Sequence, residues 1–212
     1  MTFRVEFLYE DPDVVVVNKP SGFLAVPGRG PDKADCVVAR IRKAFPRCIE
    51  QPSVHRLDMD TSGLMVLALN APAQRALSIQ FQNREPQKEY EALLEGIPNG
   101  HEGTIQLPFR LDVDNRPIQI YDPEQGKLGT THWRLLRTEG SRARVIFVPV
   151  TGRTHQLRVH AAHPKGLGVP IVGDPFYGNG TGPGQLKLHA SRLAFTHPWT
   201  GRRAEFVSRA PF

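Results

Sequence analysis

The chain has 212 residues, of which 40% are hydrophobic and 23% charged, a balance that suits a folded protein with a sizeable core and excludes a disordered one. Lys and Arg total 27 against 21 for Asp and Glu, a net charge of +6; this favours a polyanionic partner, although solubility alone explains such a charge in many proteins. Two cysteines, Cys36 and Cys48, cannot frame a disulfide-built fold, and no stretch is apolar enough for a signal peptide or a membrane span, so a cytoplasmic protein is expected.

Glu10-Asp11-Pro12-Asp13 reads as a turn that delivers the chain into residues 14–17, four valines suited to a buried strand. Lys19-Pro20-Ser21-Gly22 ends it, and a stretch rich in Gly, Pro and charge runs from Pro27 to Lys33. Val37, Ile41 and Phe45 follow at helical spacing until Pro46 stops them. Residues 64–69 predict a second buried strand, and Asn70 suits the N-cap of a helix with Leu77 and Phe81 on one face. Residues 90–94 begin another strand. Residues 130–136 and 143–150 are two more, joined by a turn at Glu139-Gly140-Ser141. Thr151-Gly152 breaks the chain before a helix predicted over 154–162. Turns at Gly173-Asp174-Pro175 and at 198–201, a surface loop at 178–184 and a strand at 204–207 complete the pattern. This is an α+β sequence with a mixed, mostly antiparallel sheet and flanking helices and loops. Without a repeat or a clear linker, residues 1–212 are expected to form a single domain.

Two segments carry chemistry. In His55-Arg56-Leu57-Asp58-Met59-Asp60-Thr61-Ser62-Gly63, polar groups pile up just before an apolar strand. Two roles are open to Asp58: a nucleophile whose carboxylate is ionised and directed by a basic neighbour, or the cap of an Asp-rich turn. A salt bridge with Asp60 is one role open to Arg56. The second segment is Thr151-Gly152-Arg153-Thr154-His155-Gln156-Leu157-Arg158-Val159-His160. Its arginines suit bidentate contact with a carboxylate or phosphate, and equally the solvated face of an amphipathic helix. His155, His160 and His163 do not keep the spacing of a zinc helix, so no metal is expected.

These segments do not stand alone. His55-Arg56-Leu57-Asp58 followed by Thr61-Ser62-Gly63 resembles the catalytic motif of the RluA family of pseudouridine synthases, and Val17-Asn18-Lys19-Pro20-Ser21-Gly22 resembles its N-terminal motif. Lys88-Glu89-Tyr90 with Gly96 resembles the motif of the active-site tyrosine, and residues 151–160 the motif of the active-site arginine, here Arg158. Gly173-Asp174-Pro175-Phe176-Tyr177-Gly178, Leu188-His189-Ala190 and His197-Pro198 resemble its C-terminal signatures. The match runs in order from about Tyr9 to the C-terminus, and several motifs at compatible spacing make it specific.

The resemblance implies the pseudouridine synthase fold and an isomerase that moves uracil from an N1 to a C5 glycosidic link without a cofactor. Asp58 would be the nucleophile, Arg158 would pair with it, and Tyr90 would stack on the uracil; the other role open to Tyr90 is core packing on a strand. The motifs begin within the first twenty residues, as in the short form of the family, which has no appended N-terminal RNA-binding domain. That form implies stem-loops of large-subunit ribosomal RNA or tRNA as substrate, and a monomer is expected. A stacked uridine must be flipped out, and Arg56 is the candidate to fill the space it leaves. Arg29, Lys33 and Arg153 are further expected RNA contacts. Two other functions are open: a non-catalytic RNA-binding protein on the same scaffold, and a hydrolase using Asp58 and Asp60 as acid and base.

Overall fold

A computed structural model describes residues 3–212. In chain order the strands are β1 (Glu6–Glu10), β2 (Val14–Lys19), β3 (Ser62–Ala68), β4 (Gln87–Leu94), β5 (Glu102–Leu111), β6 (Gln119–Tyr121), β7 (Lys127–Glu139), β8 (Arg142–Pro149), β9 (Leu188–Thr196) and β10 (Arg203–Val207). The α-helices are α1 (Val37–Ala44), α2 (Ala71–Asn83) and α3 (Gln156–Ala162). The chain divides into two compact units, the first running to Lys88 and resuming over His189–Pro211, the second spanning Glu89–Leu188 with Phe212.

In the first unit the strand order is β1-β2-β3-β9, with β10 paired to β9. Every pairing is antiparallel except β3 with β9. Val14 to Val17 are wholly buried on both faces of the sheet, which is why β2 reads as an unbroken apolar run instead of an alternating one. Val14, Val16, Leu64 and Val66 pack against Ala73 and Leu77 of α2. The helix starts where Asn70 accepts the Ala73 N–H at 2.9 Å, the cap expected from sequence. Gly63 lies opposite Ala190 in the parallel pair at φ +113°, and a side chain there would run into the Ala190 backbone. Glycine is therefore what lets β3 leave the preceding polar loop flat against β9.

The second unit has the order β4-β8-β7-β5-β6, all antiparallel. Along β7, Gly129, Thr131 and Trp133 are buried between half-buried or exposed neighbours, the period-two alternation of a sheet with one face wet. The inner face forms one core with Phe109, Phe147 and Ile171, which also takes Leu157, Val159 and Ala161 of α3. Gly140 at φ +64° makes the β7–β8 turn.

The observed class is α+β with mostly antiparallel strands, as expected. The elements differ in detail. Helix α3 begins at Gln156, two residues after the predicted start, because His155 takes a left-handed conformation, φ +55°, that no helix can include. Strands β1, β5, β6 and β9 have no counterpart in the sequence reading. No helix among the described residues is long and apolar enough to cross a membrane.

Candidate active site

In the first unit, residues 55–61 form the loop that feeds β3. Leu57 is buried beneath it, while Asp58 is half-buried and Arg56 and Met59 are exposed. The Thr61 N–H donates to the Asp58 carbonyl at 3.2 Å, closing a tight turn at Asp58-Met59-Asp60-Thr61. This turn is held from the end of β2. Lys19, with no exposed surface, donates from Nζ to the carbonyls of Met59 at 2.8 Å, Phe23 at 2.7 Å and Pro20 at 3.0 Å. The Ser21 hydroxyl donates to the Asp60 carbonyl.

Burial pushes the Lys19 ammonium down to about 7, and the charges of Asp60 and Asp58 oppose that shift. The hydrogen bonds decide its state. Three carbonyl acceptors call for three N–H donors, and only the ammonium carries three. Lys19 is thus a buried cation beneath the turn that presents Asp58. Lys19→Met should cost about 3–5 kcal/mol of stability, because it leaves three carbonyls in and around the turn without their donor and removes the positive charge near Asp58 and Asp60. A urea midpoint equal to that of the wild type would refute this role.

Two histidines brace the same region. The His55 Nε2 accepts the Val66 N–H at 3.1 Å and its ring stacks on Phe81 at 4.5 Å between centroids. Desolvation, with Lys88 adding to it, pushes His55 down to about 3, so the ring is neutral at pH 7 as its acceptor role requires. Ser62 Oγ lies 2.9 Å from Nδ1 of the buried His189, whose Nε2 lies 3.1 Å from Ser208 Oγ. This chain of contacts fastens the first residue of β3 to β9 and the C-terminal segment.

In the second unit, Tyr90 lies on β4 opposite Phe147, half-buried against the core. Arg158 is on α3 and only 1% exposed. Its Nε donates to Oδ2 of Asp174 at 2.8 Å and its Nη2 to Oδ1 at 2.6 Å, a bidentate ion pair with a carboxylate that is itself fully buried. The guanidinium carbon lies 5.0 Å from the ring centre of Phe176 and 5.3 Å from that of Tyr177. The solvated amphipathic helix open from sequence is thereby overturned: residues 156–161 are all buried. The exposed part of the segment is Gly152-Arg153-Thr154 ahead of the helix. The Gln156 side chain braces that loop, accepting from the Thr151 hydroxyl at 2.7 Å and the Arg153 N–H at 3.0 Å.

Of the expected site residues, the structure places Asp58, Arg56, Arg29 and Lys33 in the first unit and Tyr90, Arg158 and Arg153 in the second. Arg29, Lys33, Arg56 and Arg153 are all exposed, as a contact with phosphate needs. Arg29 and Lys33 sit on a loop closed by the Gly28 N–H to the Lys33 carbonyl at 3.0 Å. Arg56 makes no side-chain hydrogen bond or ion pair among the described residues, so the alternative bridge to Asp60 is not formed. Lys19, Ser21, Asp174 and Tyr177 lie in segments that resemble the family's motifs, but the sequence reading gave none of them a role.

The three histidines weighed as metal ligands have separate duties. His155 Nδ1 lies 2.8 Å from the Tyr177 hydroxyl, and His163 Nδ1 accepts the Lys165 N–H at 3.1 Å. Both ring nitrogens of the buried His160 lack a partner among the described residues, and burial pushes it down to about 4. Among the described residues the carboxylate and imidazole atoms that gather belong to Asp11, Asp13 and His197. There His197 Nε2 bonds Asp11 at 2.7 Å and Asp11 caps the Asp13 and Val14 N–H groups, which accounts for the cluster as a braced turn.

A family model described as RNA pseudouridylate synthase matches residues 13–163, a span that includes Asp58, Tyr90 and Arg158. The dual-specificity RNA pseudouridine synthase RluA of Escherichia coli K12 is 44% identical over 209 residues, covering 97% of this chain and 93% of its own. The RluA of Haemophilus influenzae is 42% identical over 212 residues, covering 98% and 94%. Among solved structures, human RNA pseudouridylate synthase domain containing 1 superposes with a TM-score of 0.77 at 30% identity, over 99% of this chain and 84% of that one.

Proposed function

Since the chain belongs to the RluA family of RNA pseudouridine synthases and is an enzyme of that kind, we propose that it isomerises uridines in stem-loops of large-subunit ribosomal RNA, of tRNA, or of both. The dual specificity of the Escherichia coli relative, 44% identical across nearly all of both chains, supports this substrate class. In this reading the chain acts as a single catalytic domain, as a monomer, in the cytoplasm.

The observation that carries the mechanism is the clamped turn at Asp58. A nucleophile must be reachable by substrate yet fixed in direction, and Asp58 is half-buried on a turn whose backbone is held by Lys19 and Ser21. The uridine is flipped out of its stack, and the exposed Arg56 takes the space it leaves. Asp58 acts as the nucleophile, the N1–C1′ bond breaks, and the uracil turns while Tyr90 stacks on it. The C5–C1′ bond then forms, C5 gives up its hydrogen as a proton and N1 gains one. Tyr90 takes part in this proton transfer, and Arg158 is the arginine that sets the charge geometry. Nothing is oxidised or reduced and no group is donated, so the sequence of steps is complete without a cofactor.

RNA contacts fall to Arg29, Lys33, Arg56 and Arg153, whose exposed charges meet the phosphates flanking the target. A short stem-loop carrying the target uridine should therefore react about as fast as the full-length RNA, and its conversion should slow as salt rises. Mapping pseudouridine in ribosomal RNA and tRNA from cells lacking the protein identifies the uridine. Conversion of free uridine at the same rate, or release of free uracil, would overturn the reading.

A further inference from the structure

Arg158 is held far more elaborately than a core ion pair needs. Asp174 takes two of its five N–H donors, through the edge formed by Nε and Nη2, and that grip sets the direction of the whole planar group. Oδ1 of the same carboxylate also accepts the N–H groups of Phe176 at 2.9 Å and Tyr177 at 3.1 Å. The Asp174 carbonyl accepts from Gly178 at 3.2 Å and from Gly180 at 3.0 Å, so the chain wraps the carboxylate in a closed turn. A side chain on Gly180 would run into the Gly173 carbonyl, and Gly173 is at φ +75°. The turn is thus built around glycines and has one geometry.

Behind it stands Tyr177. Its hydroxyl accepts the Gln119 N–H at 2.8 Å and lies 2.8 Å from His155 Nδ1. The His155 ring in turn stacks against Phe176, at 5.6 Å and 18° between planes. Position, tilt and the two ring faces over the guanidinium are therefore fixed from one segment, residues 173–180, fifteen and more residues along the chain from Arg158.

We propose that Asp174, backed by Tyr177, is a positioning residue that sets the guanidinium plane of Arg158 for catalysis. The proposal rests on Arg158 being the active-site arginine. Asp174 acts through the direction it gives to the guanidinium plane of Arg158. A guanidinium that rotates even slightly no longer presents two donors together, and catalysis is sensitive to displacements of that size.

The test compares wild type, Asp174→Asn, Tyr177→Phe, Arg158→Lys and the Asp174→Asn/Arg158→Lys double variant. Single-turnover conversion of a stem-loop, RNA affinity and thermal midpoint are read for each. Asparagine keeps the shape but accepts only one of the two N–H bonds, so the rate should fall about 10- to 100-fold with RNA affinity within about twofold. In the double variant the rate should stay within about twofold of Arg158→Lys, because nothing is left for Asp174 to orient. Multiplied losses, or losses that follow the folded fraction, would mean a structural ion pair and overturn the proposal. If Asp174→Asn fails to fold, Tyr177→Phe decides: it keeps the ring and loses the hydroxyl. A several-fold slower rate at an unchanged midpoint supports the proposal, and a wild-type rate ends it. A wild-type protein that converts no ribosomal or transfer RNA stem-loop defeats the functional reading itself, an outcome distinct from an active wild type with an equally active Asp174→Asn.

Discussion

Asp58→Asn protein should bind a stem-loop substrate with an affinity within about threefold of wild type and convert it slower by on the order of 10⁴-fold or more. The two halves of this result have separate causes. Affinity for RNA comes mainly from phosphate contacts, and the exposed Arg29, Lys33, Arg56 and Arg153 are untouched by the change. The backbone fastenings of the loop stay in place: the Asp58 carbonyl accepts from Thr61, that of Met59 from Lys19 and that of Asp60 from Ser21. Asparagine matches aspartate in size, so the turn keeps its course while the carboxylate charge and its nucleophilic oxygen are lost. Rapid-quench measurement of C5 hydrogen release from the target uridine, beside a binding isotherm, reads both halves. A rate within about tenfold of wild type would remove Asp58 from the chemistry. Weak binding with residual turnover would instead make the side chain part of RNA recognition.

The elements that could be read from sequence were those with a local signature. Four valines in a row announced β2, and the Asn70 cap announced α2, because both signals lie within a few residues of the element they define. Strand β9 went unread. Its run Leu-His-Ala-Ser-Arg-Leu-Ala-Phe-Thr has no clean alternation, and it exists through the parallel pairing of His189 and Ala190 with Ser62 and Gly63, more than a hundred residues earlier. Strand β5 is interrupted in sequence by Gly103 and Pro108, and cross-strand pairing with β7 overrides both.

The site divides in the same way. Segments 55–63 and 151–160 stood out because unusual residue types crowd together there. What holds those residues in place did not stand out. Lys19 reads in sequence as the end of a strand within a family-like motif, and its part depends on a hydrogen bond to the Met59 carbonyl, forty residues on. Asp174 looked like one residue of a turn, and no spacing rule links it to Arg158. Neither could the left-handed backbone of His155 be foreseen, since a histidine adopts it only when tertiary contacts, here the Tyr177 hydroxyl and the Phe176 ring, repay the strain. Functional side chains are chosen for chemistry and show in composition; their supports are chosen for geometry and show only in the fold.

Arg158→Lys should lower single-turnover conversion by about 100-fold or more while leaving RNA affinity within a few-fold of wild type. The substitution keeps one positive charge, so electrostatic attraction is not what it removes. It removes shape. The guanidinium meets Asp174 through Nε and Nη2 side by side and lies over Phe176 and Tyr177 within 5.3 Å of both ring centres. A lysine ammonium is a point donor on a flexible stem: it can satisfy Asp174 or reach the far side, but it has no rigid second edge to do both. The pocket also favours the weakly hydrated guanidinium, since Arg158 is only 1% exposed and an ammonium loses more solvation on burial. The thermal midpoint should fall less than the rate does, because the ion pair with Asp174 survives in altered form. Stopped single-turnover assays with saturating enzyme, alongside a melt and a binding isotherm, separate these quantities. A wild-type rate in Arg158→Lys would mean that charge alone suffices at this position, and Arg158 would then lose its place as the arginine that orients the reaction.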